Sequence, residues 1–220
     1  MPYRRTEEVE QRLAGKRERI MKAVRRVVGD VGFRDTQISM VAAAAGVATG
    51  TVYRYFPSKG ELLAEALIAS SRRELAVVGA IAAADGSPVE RLEASVRAFA
   101  SRALKARRLA YAMIAEPVDV EVDQARLEYR RAFSRMFRQL IDKGVAAGEL
   151  PKQDSEATAA CLFGALVEGL VGPLAPGAAR PTQETRLIET IVTFCLRAVG
   201  GAPAGPDKVA TLRVVKTADS

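Results

Sequence analysis

Two apolar stripes of helical spacing, Ile38-Val41-Ala42-Ala45 and Val52-Phe56, are joined through the short segment Ala45-Gly46-Val47-Ala48. So short a link forces two short helices to turn sharply against each other. Gly46 suits the left-handed backbone that a tight helix-ending turn needs, and Val47 is the apolar contact after it. The spacing predicts the first helix from Thr36 or Gln37 to Ala45 and the second from Thr49 to Tyr55. Longer helices brace the pair. Before it, Ile20, Val24, Val27 and Val31 recur at three and four positions along Leu13–Val31, with Gly32 as a stop and Phe33 as an apolar plug. After it, Ser58 and Glu61 have the spacing of a capping box, opening a helix that carries Leu62, Leu63, Ala66, Leu67 and Ser70 as far as Val78.

The remaining chain reads the same way. Asp85-Gly86-Ser87-Pro88 is a break, followed by expected helices at Val89–Ala103 and Arg107–Ala115 and a second break at Glu116-Pro117. Residues 122–147 place Tyr129, Phe133, Met136, Phe137, Leu140 and Ile141 on one face and Arg130, Arg131, Arg135 and Arg138 behind it. Asp154 is a candidate cap for a helix reaching Val171 that is apolar nearly all round, and Thr182 for one reaching Val199. A helix apolar on every side must be covered on every side, by its own core and by a second subunit. Low aromatic content, 5%, favours helices over a sandwich or barrel. The expected fold is all-α, divided into a basic arm (1–13), a helix-turn-helix domain (14–74), a C-terminal domain (75–200) and a tail (201–220).

Composition removes several kinds of chemistry. There is no His, so no imidazole base and none of the commonest metal ligands. Two Cys, Cys161 and Cys195, supply neither a zinc cluster nor a disulfide framework, and both read as small buried hydrophobes. No catalytic residue, metal or cofactor is expected. The opening residues lack a signal-peptide core, and Glu168, Gly172 and Pro173 interrupt the longest apolar stretch, so the chain reads as cytoplasmic, without a membrane span. Residues 1–60 hold twelve Lys/Arg against six Asp/Glu, half or more of the net +7 of the whole chain. Such a basic quarter fits either an anionic polymer partner or a solvated face.

The second short helix carries Thr49, Gly50, Thr51, Tyr53 and Tyr55, hydroxyls and phenols able to bond phosphates and base edges, with Gly50 allowing close approach. Together with Gly32-Phe33, Ala45-Gly46-Val47 and Ser58-Lys59-Gly60-Glu61-Leu62-Leu63, the run Gly50-Thr51-Val52-Tyr53-Arg54-Tyr55-Phe56 resembles the DNA-binding domain of tetracycline-repressor (TetR) family regulators over about residues 14–74. The resemblance implies that Gln37–Phe56 is the helix-turn-helix. It implies DNA contacts by Thr36, Gln37, Thr49, Gly50, Thr51, Tyr53, Tyr55 and Lys59 on a palindromic double-stranded operator. Ala48 stands where many members have a capping Ser, which leaves the recognition helix to start at Thr49. The resemblance further implies a homodimer through the last two helices, about 154–173 and 182–199, and a C-terminal domain that binds a small molecule and then releases DNA. Control by a protein partner or by abundance, without an effector, is the alternative. Arg4, Arg5 and Arg12 would lie along the DNA if ordered.

For the effector, the candidate side chains are Phe99, Tyr111, Met113, Phe133, Phe137 and Phe163, with Met136 beside them; each also fits plain core packing. Glu168, a carboxylate in an apolar helix, must be hydrated, paired or functional. Its possible partners are a ligand cation, Arg186, Arg197 or a symmetry-related chain.

Overall fold

The computed structural model describes residues 7–179 and 183–201, with side chains from residue 13 onward. Its described residues form helices without a strand: α1 Glu7–Asp35, α2 Ile38–Ala45, α3 Thr49–Tyr55, α4 Lys59–Ala82, α5 Pro88–Lys105, α6 Arg107–Ile114, α7 Val120–Ala146, α8 Ser155–Leu174 and α9 Glu184–Ala198. α1 packs on α2 and α6, and α2 on α3. α4, α5, α7 and α8 form the larger bundle, with α9 against α5 and α8. α4 runs unbroken through residues 74–75, so the two bundles share this helix rather than meeting at a linker. Among the described residues, 7–13 of the expected arm are helical and belong to the first turns of α1. Arg4, Arg5, the Thr182 cap and residues 202–220 lie outside the described residues.

Helix ends follow local chemistry. Gly32 leaves the helical region at φ 88°, ψ 176°, and the chain resumes one further turn that buries Phe33. Gly46, at φ 65°, ends α2, and the Val47 N–H reaches back to the Ala42 carbonyl at 3.0 Å. At α4, Ser58 Oγ accepts from the Glu61 N–H at 3.0 Å. The box there is half formed. The complete one is at α5, where Ser87 Oγ accepts from Glu90 N–H and Glu90 accepts from Ser87 N–H. Asp154 caps α8 by accepting from the Glu156 and Ala157 N–H groups.

α8 departs from expectation at its end. It continues through Gly172 and Pro173 to Leu174, so by length and composition it is a helix able to cross a membrane. Its buried face, Leu162, Phe163, Leu166, Val167 and Leu170, packs into the bundle of α5, α6, α7 and α9, the role of a core helix. Cys161 is exposed on α8, contrary to the buried position expected of it, because it falls on the helix face away from that core. Cys195 is buried, and burial pushes its thiol up to about 11.

Five aromatic rings fill the centre. Phe133 and Phe163 stack with centroids 5.0 Å apart and planes at 7°, while Phe99 and Tyr129 meet Phe133 edge-on at 5.2 and 4.9 Å. Phe137 closes the group 6.2 Å from Phe163. Phe133 is wholly buried. Phe133→Ala is expected to lower the free energy of unfolding by about 3–5 kcal/mol, read from urea melts of the two proteins.

Candidate nucleic-acid interface

α3 is seven residues held from beneath. Val52 and Phe56 are fully buried, and Arg17 from α1 lies over the Phe56 ring at 5.1 Å. With those two side chains turned inward, the helix period turns Thr49, Gly50, Tyr53 and Arg54 outward. Tyr53 is 48% exposed. Thr51 is half-buried, and so is Tyr55, whose ring carries the Arg54 guanidinium at 5.6 Å and whose hydroxyl is buried without a hydrogen-bond partner. α3 starts at Thr49. Ala48 is its N-cap and supplies no side-chain acceptor, as its methyl group dictates.

The flanking residues divide. Gln37 is exposed and caps α2 through its backbone alone, so its amide faces solvent. Lys59 is half-buried, with Nζ 3.3 Å from the Arg34 carbonyl, at the first turn of α4. Thr36 does not belong with them. It is fully buried, and its hydroxyl donates to the Gly32 carbonyl at 2.5 Å, closing the kinked end of α1. Arg34 and Arg54 are exposed cations at this surface that motif reading passed over; Arg54 sits inside the motif itself, where charge was the available signal.

Behind the helix-turn-helix lies a buried polar joint. Glu116, 4% exposed in the turn between α6 and α7, accepts from the Phe33 N–H at 2.7 Å and pairs with Arg108 of α6 at 3.0 Å. Arg108 also donates to the Val31 carbonyl. A Cβ at Gly32 would collide with both charged groups, so the glycine is required twice, by its φ and by this contact. From α7, the buried Arg126 donates to the carbonyls of Ala112, Met113 and Glu116 at 3.1, 3.0 and 2.6 Å. Arg107 donates to the Pro173 carbonyl in the last turn of α8 at 2.7 Å and to the Ala178 carbonyl just beyond it at 2.9 Å. α6 is thereby tied at once to α1, α7 and α8.

Two cavities matter. One, about 300 Å³, lies between the bundles and is lined by Phe33, Arg34, Lys59, Leu63, Asp119 and Val122, among others. The second, about 50 Å³, lies among α4, α5, α6 and α7, with Phe99, Leu109, Met113, Ile114 and Tyr129 in its wall together with Glu74 and Arg102. Of the expected effector contacts, Phe99 and Met113 reach this wall. Phe133, Phe137 and Phe163 are committed to the aromatic core, and Tyr111 is half-buried outside the lining. Glu168 is exposed on α8, away from both cavities, and forms no ion pair with Arg186 or Arg197. Glu74, Arg102, Leu109 and Ile114 were not anticipated, because a cavity shared by four helices has no spacing in the sequence. Among the described residues no group of three or more Cys, Asp or Glu is placed to hold a metal.

A buried-footed short helix with polar residues outward, on a helical body, is the build of a helix-turn-helix DNA-binding regulator. Residues 20–66 match the family described as bacterial regulatory proteins, tetR family, and residues 85–169 match the tetracyclin repressor-like C-terminal domain. The chain belongs to the TetR family of transcriptional regulators, which are not enzymes. It is 42% identical over 77 residues to the HTH-type transcriptional repressor KstR of Mycolicibacterium smegmatis, covering 35% of this chain and 38% of that one. With KstR of Mycobacterium tuberculosis it shares 32% over 145 residues, 63% of this chain and 62% of that protein. Both matches span less than two thirds of the relative. In three dimensions it resembles FadR of Bacillus subtilis, solved with stearoyl-CoA, at a TM-score of 0.67 and 20% identity, covering 80% and 97% of the two chains.

Replacing Arg126 by Met removes two hydrogen bonds to the last carbonyls of α6 and one to the Glu116 carbonyl in the turn after it. The expected loss is about 1.5–3 kcal/mol of stability by urea melt, with the amides of residues 110–116 exchanging faster by hydrogen–deuterium exchange.

Proposed function

We propose that the chain is a homodimeric repressor whose two α3 helices enter successive major grooves of a palindromic operator, and which leaves DNA when a small apolar or amphipathic molecule enters the α4–α7 cavity. The observation that carries this is α3 itself: Val52 and Phe56 lock it in place while Thr49, Gly50 and Tyr53 stand outward. A helix fixed that way presents a rigid edge to the groove, and its first residues meet the bases. Thr49, Thr51 and Tyr53 read base edges or phosphates, Gly50 lets the backbone approach, Tyr55 steadies the helix, and Gln37 and Lys59 hold phosphates. The repressor names of the two KstR relatives support the sign of regulation, and the ligand in the FadR structure supports an effector cavity.

Dimerisation follows from the outer face of α8 and α9. α8 turns Ala157, Cys161, Glu168 and Gly169 to the surface, and Phe194 on α9 is 58% exposed. A second copy of the same face covers these groups. The pair must hold the two α3 helices about 34 Å apart to meet one turn of DNA. Widening the small cavity displaces α6 against α7, and through Arg108 and Glu116 it turns the end of α1 with the helix-turn-helix on it. A preference of about 1–3 kcal/mol for the displaced state is enough to change occupancy of an operator.

Fluorescence anisotropy with duplexes from the DNA flanking the protein's own gene tests the reading. Tyr53→Ala is expected to weaken binding by about 1–3 kcal/mol, and Lys59→Ala to lower the log–log salt slope by about one. Failure of the wild-type protein to bind any such duplex overturns the proposal. By light scattering the wild type is expected to be a dimer and Phe194→Asp to shift towards monomer, since it sets a charge against its own copy.

A further inference from the structure

The small cavity is apolar over most of its wall, and its polar groups are unevenly satisfied. Glu74 of α4 and Arg102 of α5 form a two-pronged pair, Nε to Oε1 at 2.7 Å and Nη2 to Oε2 at 2.9 Å. Their hydrogen bond raises the Arg102 pKa, so the guanidinium is held firmly in its charged form. Tyr129 of α7 is 4% exposed and lines the same cavity. Its hydroxyl has no hydrogen-bond partner among the described residues, and burial together with the nearby Glu74 charge holds its proton on. A permanent cation and a proton-bearing phenol therefore border the space, with one carboxylate to serve them. Both Glu74 oxygens are taken by Arg102, which leaves the Tyr129 hydroxyl without an acceptor of its own.

We propose that the effector is an amphipathic monoanion whose carboxylate replaces Glu74 on Arg102 and accepts a hydrogen bond from Tyr129, with its apolar body among Phe99, Leu109, Met113 and Ile114. The inference rests on the reading of this cavity as the effector site. A carboxylate matches the guanidinium fork as Glu74 does, so the exchange keeps Arg102 paired, and the displaced Glu74 carboxylate, already partly exposed, turns out to water. An ammonium ligand would take Glu74 and, having no acceptor, would give Tyr129 nothing to donate to. As described, about 50 Å³ holds little more than a water, so entry of the apolar body requires α6, which carries Leu109, Met113 and Ile114, to move outward. Glu74 sits on the helix that directly follows the recognition helix. Its release from Arg102 unlatches α4 from α5, so one exchange of carboxylates both seats the ligand and frees the DNA-reading end.

Calorimetry and thermal melts of the full chain, with octanoate and 4-phenylbutyrate against methyl octanoate and octylammonium, decide the matter. Both carboxylates are expected to bind and raise Tm, and the ester and the amine to bind at least about tenfold more weakly. Glu74→Gln, which removes the competing carboxylate, is expected to bind octanoate about tenfold more tightly, whereas Arg102→Gln abolishes binding and Tyr129→Phe weakens it. Opposite signs at the two ends of one ion pair are not produced by general loosening of the fold, and Glu74→Gln remains informative if Arg102→Gln does not fold. Preference for octylammonium, weaker octanoate binding by Glu74→Gln, or no binding of either carboxylate by wild type and Glu74→Gln overturns the inference. Anisotropy on the same samples separates the two levels. Protein that binds DNA but neither carboxylate sinks this inference alone, and protein that binds octanoate but no duplex sinks the repressor reading.

Discussion

A carboxylate with almost no access to water, Glu116, carries the connection between the two halves of the molecule. Its two oxygens are used by the Phe33 N–H and by Arg108, and the same Arg108 reaches the Val31 carbonyl on the other side of Gly32. In a low-dielectric setting such an arrangement tolerates poorly the loss of any one partner, since what remains is a buried charge or an open donor. The end of α1 is thus not free to drift relative to the α6–α7 turn. The two move together. A joint made only of aliphatic contacts would slide; one made of charge and directed hydrogen bonds transmits position.

The body behind this joint is stiff in one place and yielding in another. Around Phe133 the rings of Phe99, Tyr129, Phe137 and Phe163 interlock at centroid distances that leave no space for a ligand. The cavity begins where that group ends, on the side towards α6, and its movable wall is made of Leu and Met rather than aromatic rings. α6 spans only Arg107–Ile114 and depends on arginine-to-carbonyl bonds at both ends. A short element held by its termini, beside a cavity, is a part whose displacement disturbs little of the aromatic core.

The parts of this architecture that depend on neighbours in sequence were readable before any coordinates. The Gly46 turn, the start of α3 at Thr49, the Gly32 break and the Asp154 cap are each set within a few residues, by backbone conformation or by a side chain reaching its own chain. Those depending on distant segments were not. Thr36 carries a hydroxyl in a DNA-binding motif, and only the fold shows that hydroxyl turned inward to Gly32. The aromatic stripe on α7 gave a correct core but suggested a ligand pocket, because apolar spacing is the same for both. Cys161 was misplaced, and Glu168 left open between water and a partner, for a related reason: on a helix apolar all round, periodicity does not say which side the core takes. Glu74 and Arg102 stand 28 positions apart and signal nothing until α4 and α5 lie side by side.

α8 also bears on how the chain reaches this state. Its apolar surface would be a hazard if it left the ribosome ahead of its partners. Synthesis runs the other way: α5, α6 and α7, whose faces receive it, are made before Ser155. A nascent scaffold is therefore waiting when the greasiest stretch emerges, and its time uncovered is short. The order of elements along the chain acts as a safeguard against clumping, with α9 left to close over the last edge.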